Sequence, residues 1–159
     1  IIKIEIVDAT LSPEELKVVG RFAYNDFPFI GVDGNEYLGK QIKGAYLEPP
    51  FDSARIGSTA YRFILDKYRH LVCDNLQTIL GASMWSGTMR RYGEVMIYDT
   101  VKKCCLDQLG DKAKGSTTGF LPWDIGSLPL SRVTDEWGDR ELRLDKGSCT
   151  HIVNIISLP

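Results

Sequence analysis

The sequence predicts one α/β domain: a mixed central sheet flanked by helices. Three observations point there. Residues 1–8 alternate apolar and charged side chains, Ile2, Ile4 and Ile6 against Lys3 and Glu5, which is the period of a half-buried strand. Ile56, Ala60, Phe63, Ile64 and Lys67 recur at helical spacing. The closing segment Ile152-Val153-Asn154-Ile155-Ile156 is a continuous apolar run of strand length.

The elements follow in order. After the strand at 2–8, Ser12-Pro13-Glu14-Glu15 has the form of a capping box with proline at the first helical position. Leu16, Val19, Phe22 and Ala23 continue at helical spacing, so a helix is predicted over 13–25. Pro28, Gly31 and the turn pair Asp33-Gly34 mark a loop over 26–35. Two short strands, 36–39 and 41–47, are predicted around Gly39 and Gly44, and Pro49-Pro50 ends the second. A helix at 56–68 leads into a buried strand at 70–74, and a second helix is predicted over 78–91. Gly81 and Gly87 weaken that helix by about 1 kcal/mol each relative to alanine. A strand at 94–99, a short helix over 101–109, a strand at 141–144 and the closing strand at 150–157 complete the series. Between 110 and 140, glycines and prolines break every regular period. No repeat and no linker divides the chain, so residues 1–159 are expected to form a single domain.

Composition narrows the function classes. Of 159 residues, 43% are hydrophobic and 25% charged, the balance of a globular chain. A net charge of −2 supplies no global attraction for nucleic acid or anionic membrane. No apolar run reaches the roughly 18 residues of a membrane span, and the first residues lack a signal-peptide layout; a soluble, cytoplasmic protein is expected. Cys73, Cys104, Cys105 and Cys149 form no CxxC spacing and are read as free thiols. His70 and His151 each begin a strand, with no HxH or HxxxH arrangement, so no metal site is expected.

The segment with chemical content runs from Ala45 to Tyr61: strand, short proline-bearing loop, then a helix that opens on small residues. Free amides at a helix N-terminus, aided by the helix dipole, bind anionic oxygens. Gly57 and Ser58 let a bulky group approach that backbone. This pattern resembles the central motif of the GNAT acyltransferase superfamily, Q/R-x-x-G-x-G/A entering a helix. Ile56-Gly57-Ser58-Thr59-Ala60-Tyr61 matches the run into the helix; Asp52 and Arg55 stand where that family has its first Arg or Gln and its first glycine. The resemblance covers roughly residues 40–100 and extends more distantly to small phage-encoded GNAT-like proteins.

The resemblance implies a GNAT-like architecture binding acetyl-CoA or another acyl-CoA. It places Leu47, Arg55, Ile56, Gly57, Ser58 and Asn75 at the cofactor, with Trp85 where the family often has a tyrosine acid. It implies transfer of an acetyl group to an amine of a substrate. Such a reaction needs a base, for which Glu36, Glu48 and Asp74 are available; Glu48 and Asp74 are taken as the catalytic pair. The rival expectation is an inactive GNAT-like protein that grips a host or regulatory partner protein. Phe120, Trp123 and Trp137 in the glycine-rich segment, with Tyr98, would form its lid or contact surface.

Overall fold

The computed structural model describes residues 2–49, 51, 55–78, 84–108, 141–143 and 151–159. The expected glycine-rich lid around Phe120, Trp123 and Trp137, Cys149, and residues 79–83 of the helix expected at 78–91 lie outside these residues.

The expected GNAT-like arrangement, a central sheet flanked by helices, is corrected by what forms. The protein is mostly sheet: seven strands in one mixed sheet, with one α-helix among the described residues. The strands are β1 (Ile2–Val7), β2 (Val18–Ile30), β3 (Glu36–Leu47), β4 (His70–Val72), β5 (Leu76–Thr78), β6 (Val95–Asp99), β7 (Cys104–Gln108), β8 (Glu141–Arg143) and β9 (Ile152–Ser157); the helix is α1 (Ile56–Tyr68). The large sheet has the order β1-β2-β3-β4-β9-β6-β7, and β5 and β8 pair separately. Every pair in the large sheet is antiparallel except β3 with β4. A parallel pair needs a crossover connection, and α1 supplies it.

The helix expected over 13–25 is replaced by a single 3₁₀ turn at Pro13–Glu15 and the 13-residue strand β2. Phe22 and Tyr24 point to one layer, against Tyr61 and Tyr68 of α1, while Phe27 and Phe29 point to the other, against Tyr98. Each aromatic pair is spaced by two, and that period decides the segment. The expected loop at 26–35 shortens to a turn in which Gly31 and Asn35 pair and Gly34 takes a φ of 80°. The two short strands expected around Gly39 are one strand, β3. A Cβ at Gly39 would come within 3.1 Å of Val72, so the glycine there admits the neighbouring strand.

The helix α1 spans the range its periodicity predicts. Its buried stripe is Ala60, Tyr61, Ile64 and Leu65, with Phe63 left exposed. Arg69 ends it in the left-handed region, φ 70°, its amide returning to Leu65 O at 2.7 Å. The second expected helix is absent over its described part. Leu76–Thr78 is strand, and a π turn at Met84–Thr88 and a 3₁₀ turn at Met89–Arg91 carry Trp85 and Met89 into the core. The short helix expected at 101–109 is strand β7, set up by a tight turn in which Asp99 accepts from the amides of Val101 and Lys102, both at 2.9 Å, and Lys103 takes a φ of 55°.

The core lies between α1, the Trp85–Met89 turns and the sheet centre. Leu65 is 0% exposed, whereas Leu38 on β3 is 52% exposed. Leu65→Ala is expected to lower unfolding free energy by about 2–5 kcal/mol in urea melts. Leu38→Ala should stay within about 0.5 kcal/mol; comparable losses at both positions would refute this core.

Candidate functional site

The site forms where the parallel strands part. β3 and β4 are in register at Lys40↔Leu71 and Gln41↔Val72, and the ladder stops there. Beyond it, Cys73 keeps its bond to β9, its amide donating to Asn154 O at 2.9 Å. The Cys73 carbonyl instead receives the Gln41 side chain, Nε2 at 3.0 Å. A side-chain amide thus takes a place that a main-chain amide would fill in a continuing ladder. Gln41 Nε2 also lies 3.1 Å from Asn75 Oδ1.

A bulge drives the parting. Against β2, Ala23 pairs with Gly44 and Tyr24 with Ile42, so Lys43 is the extra residue on β3. A bulge bends the strand and raises its twist. Residues 42–47, Lys43 apart, therefore remain paired to β2 but have no strand on the β4 side among the described residues. Lys43 to Tyr46 are exposed, Tyr46 at 61%.

The N-terminus of α1 sits at the end of this half-edge. Leu47 reaches toward two glycines, its Cδ2 over Gly20 of β2 and its Cδ1 3.9 Å from where a Cβ on Gly57 would lie. Arg55 precedes the helix in the left-handed conformation, φ 57°, with no side-chain cap. The first helical bond runs from the Thr59 amide to Arg55 O at 3.1 Å, and the Ser58 and Thr59 hydroxyls donate to the same carbonyl, both at 3.0 Å. The amides of Ile56, Gly57 and Ser58 come before that first bond and carry the positive end of the dipole. The carboxyl ends of two parallel strands and the amino end of their crossover helix thus converge, the usual place for ligands in such units.

Of the residues the sequence singles out, Leu47, Arg55, Ile56, Gly57 and Ser58 share this corner. Asp74 and Asn75 lie across the gap from it: Lys43 Nζ is 3.6 Å from Asp74 Oδ1 and 3.5 Å from Asn75 Oδ1. Glu48 turns to the other side of β3, with its amide on Val19 O at 2.8 Å and its carboxylate on Lys17 Nζ at 2.6 Å. Trp85 is fully buried, its ring 6.4 Å from that of Tyr61, and acts as core filling. Glu36 begins β3, at the end away from the gap. Gln41 and Lys43 are the residues sequence reasoning missed. Their signal is two polar side chains spaced by two in a strand, Gln41 being buried.

Beneath the gap the surroundings are apolar. Burial pushes the Cys73 thiol up to about 12, and its Sγ accepts from the Asn154 amide at 3.1 Å. Burial first, then Cys73 and Asp74, raises the Tyr61 hydroxyl above its ordinary value. The Asn154 side-chain atoms Nδ2 and Oδ1 are buried with no partner among the described residues. Among those residues, no cluster of three His, Cys, Asp or Glu could hold a metal, and no helix is long and apolar enough to cross a membrane. Comparison with family models, curated proteins and solved structures returned no match.

The Cys73 thiol has a stability signature. Unfolded it ionises near 9.0 and folded near 12, so between these values the unfolded chain binds fewer protons and stability falls as pH rises. Urea melts of the wild type should therefore lose stability above about pH 9, by up to about 1.4 kcal/mol per pH unit more than Cys73→Val loses. Parallel pH profiles for the two proteins would contradict a buried, protonated thiol.

Proposed function

We propose that the chain binds an acyl thioester of the coenzyme A class in the gap between β3 and β4 and transfers the acyl group to an amine. The observation that carries this reading is the parting of the two strands after Gln41 and Val72, next to the first-turn amides of α1. Residues 42–47 offer main-chain donors and acceptors to an extended, amide-bearing chain, as an open sheet edge does to an added strand. The pantetheine arm of coenzyme A is such a chain. The Ile56, Gly57 and Ser58 amides would then receive its phosphate oxygens. An acyl thioester supplies an activated carbonyl that an amine can attack.

The residues across the gap suit the proton movements. Asp74 can accept a proton from the attacking amine, and the Lys43 ammonium 3.6 Å away can meet the negative charge that leaves with sulfur. Holding both reactants between β3 and β4 supplies the rest of the rate by orientation. Glu48, bound to Lys17 on the far side of β3, has no part in this step.

A second reading is binding without catalysis, in which the same half-edge accepts a strand of a partner protein. The exposed Tyr46 ring and the Gln41–Asn75 bridge at the mouth of the gap favour it.

Gly57→Glu separates the two. It puts a carboxylate among the helix-start amides, and an added Cβ meets only Leu47, at 3.9 Å, among the described residues, so folding should change by less than about 1 kcal/mol. Titration calorimetry with acetyl-CoA should show binding to the wild type and at least roughly tenfold weaker binding to the variant. The melting midpoint should shift by no more than about 4 °C. A wild type that ignores acetyl-CoA ends the transferase reading and leaves strand addition.

A further inference from the structure

The opposite face of the sheet, at the other end of β4, holds a cavity of about 370 Å³. It is distinct from the gap. His70 begins β4, three residues before the strand ends diverge, and Ile155 points away from the layer that receives Asn154 and Ile156. Its volume falls in the range of small-molecule sites, and its lining has their character: mostly apolar, with a few convergent polar groups.

The walls define the ligand. Phe29 and Tyr37 stack at 5.7 Å, and His70 meets both rings, at 5.3 Å and 5.1 Å. The Tyr37 hydroxyl is tied to Asp33, and Phe29 packs edge-on against Tyr98 at 6.0 Å, so this wall is fixed. Met96, Ile155 and Leu158 give an aliphatic counter-wall. A fixed aromatic surface facing adaptable aliphatic chains suits a flat ring.

One neutral polar pair sits in this lining: His70 Nδ1 is 2.7 Å from Ser157 Oγ. Burial first, and then the Arg69 guanidinium, hold the imidazole below its ordinary value, so it is neutral near pH 7. A neutral imidazole paired with a hydroxyl offers one donor and one acceptor in either tautomer. The rim carries Asp33, Glu94 and Arg69. Arg69 spends a guanidinium N–H on Leu158 O at 3.4 Å, and Asp33 already accepts from Tyr37 and Asn35. With two carboxylates against one guanidinium, the rim disfavours an anion.

We propose that this cavity binds a neutral, flat aromatic molecule whose hydroxyl group meets the His70–Ser157 pair. The test uses 4-cresol, toluene and benzoate as probes, titrated into the full chain and followed by amide NMR shifts. Saturable shifts confined to residues around Phe29, His70 and Ser157 are expected, with 4-cresol at least fivefold tighter than either other probe. His70→Leu should retain toluene binding and bring 4-cresol to within twofold of it. Leu158→Trp, which fills the rim, should abolish binding of all three. Equal affinity for toluene and 4-cresol, tightest binding by benzoate, or undiminished binding to Leu158→Trp would overturn the proposal. The spectrum of each variant shows whether it is folded; if a variant is not, the ranking of the three probes on the wild type still decides.

Discussion

Strand β9 is last in sequence and central in space, and the sheet depends on its two ladders. One edge pairs with β4 through Leu71↔Ile156 and Val72↔Ile155, the other with β6 from Val95↔Ile156 to Asp99↔Ile152. All of Ile152 to Ile156 is buried; β6 pairs along the whole stretch, and β4 pairs the other edge from Asn154 onward. Without β9, no backbone ladder among the described residues would join the β6–β7 hairpin to the β1–β4 half of the sheet. Closing a pairing this distant in sequence carries the loop entropy of everything between Val72 and Ile152, and apolar burial along β9 is the term large enough to offset it.

That same firm ladder makes the gap possible. β4 is only three residues long, and a strand so short would fray if it relied on β3. Its bond from the Cys73 amide to Asn154 O continues the β9 ladder one residue past the point where β3 departs. β4 can therefore lose its partner on one edge and stay in place through the other. The bulge at Lys43 then bends β3 outward without unravelling the centre, and the Gln41 side chain satisfies the carbonyl left behind.

How far the sequence disclosed this can be followed residue by residue. α1 was legible because its apolar residues keep one period over three turns and no competing signal interrupts them. β2 was not, because Ser12-Pro13-Glu14-Glu15 carries a genuine helix-start chemistry that the protein spends on one 3₁₀ turn. The spacing of Leu16, Val19 and Phe22 then mimics a helical stripe, while the strand pattern is split between two faces, Phe22 and Tyr24 on one and Phe27 and Phe29 on the other. Gly39 read as a break, although its role is to let Val72 approach, a fact of tertiary contact alone. At the site, the corner from Leu47 to Ser58 was legible as strand, loop and small-residue helix start. Glu48 misled because its partner, Lys17, comes from just before the start of β2, distant in sequence, and Trp85 because a core ring and a site ring look alike in sequence.

The two ends of β4 place opposite demands on one short strand. At its end, Gln41, Lys43, Asp74 and Asn75 span a parting that only side chains bridge. Beneath it, the Asn154 side-chain amide is buried without a partner among the described residues. At its start, His70 is locked by Ser157 and by two aromatic rings. Stability is thus uneven along three residues: firm where His70 docks, weak where Cys73 leaves the β3 ladder. A ligand that widened the gap would work against the buried Gln41 bridge and the half-exposed Lys43–Asp74 pair, and would leave the β9 ladder intact. Motion at the gap is therefore separable from the integrity of the sheet, because the groups that close the gap are side chains and those that hold the sheet are backbone.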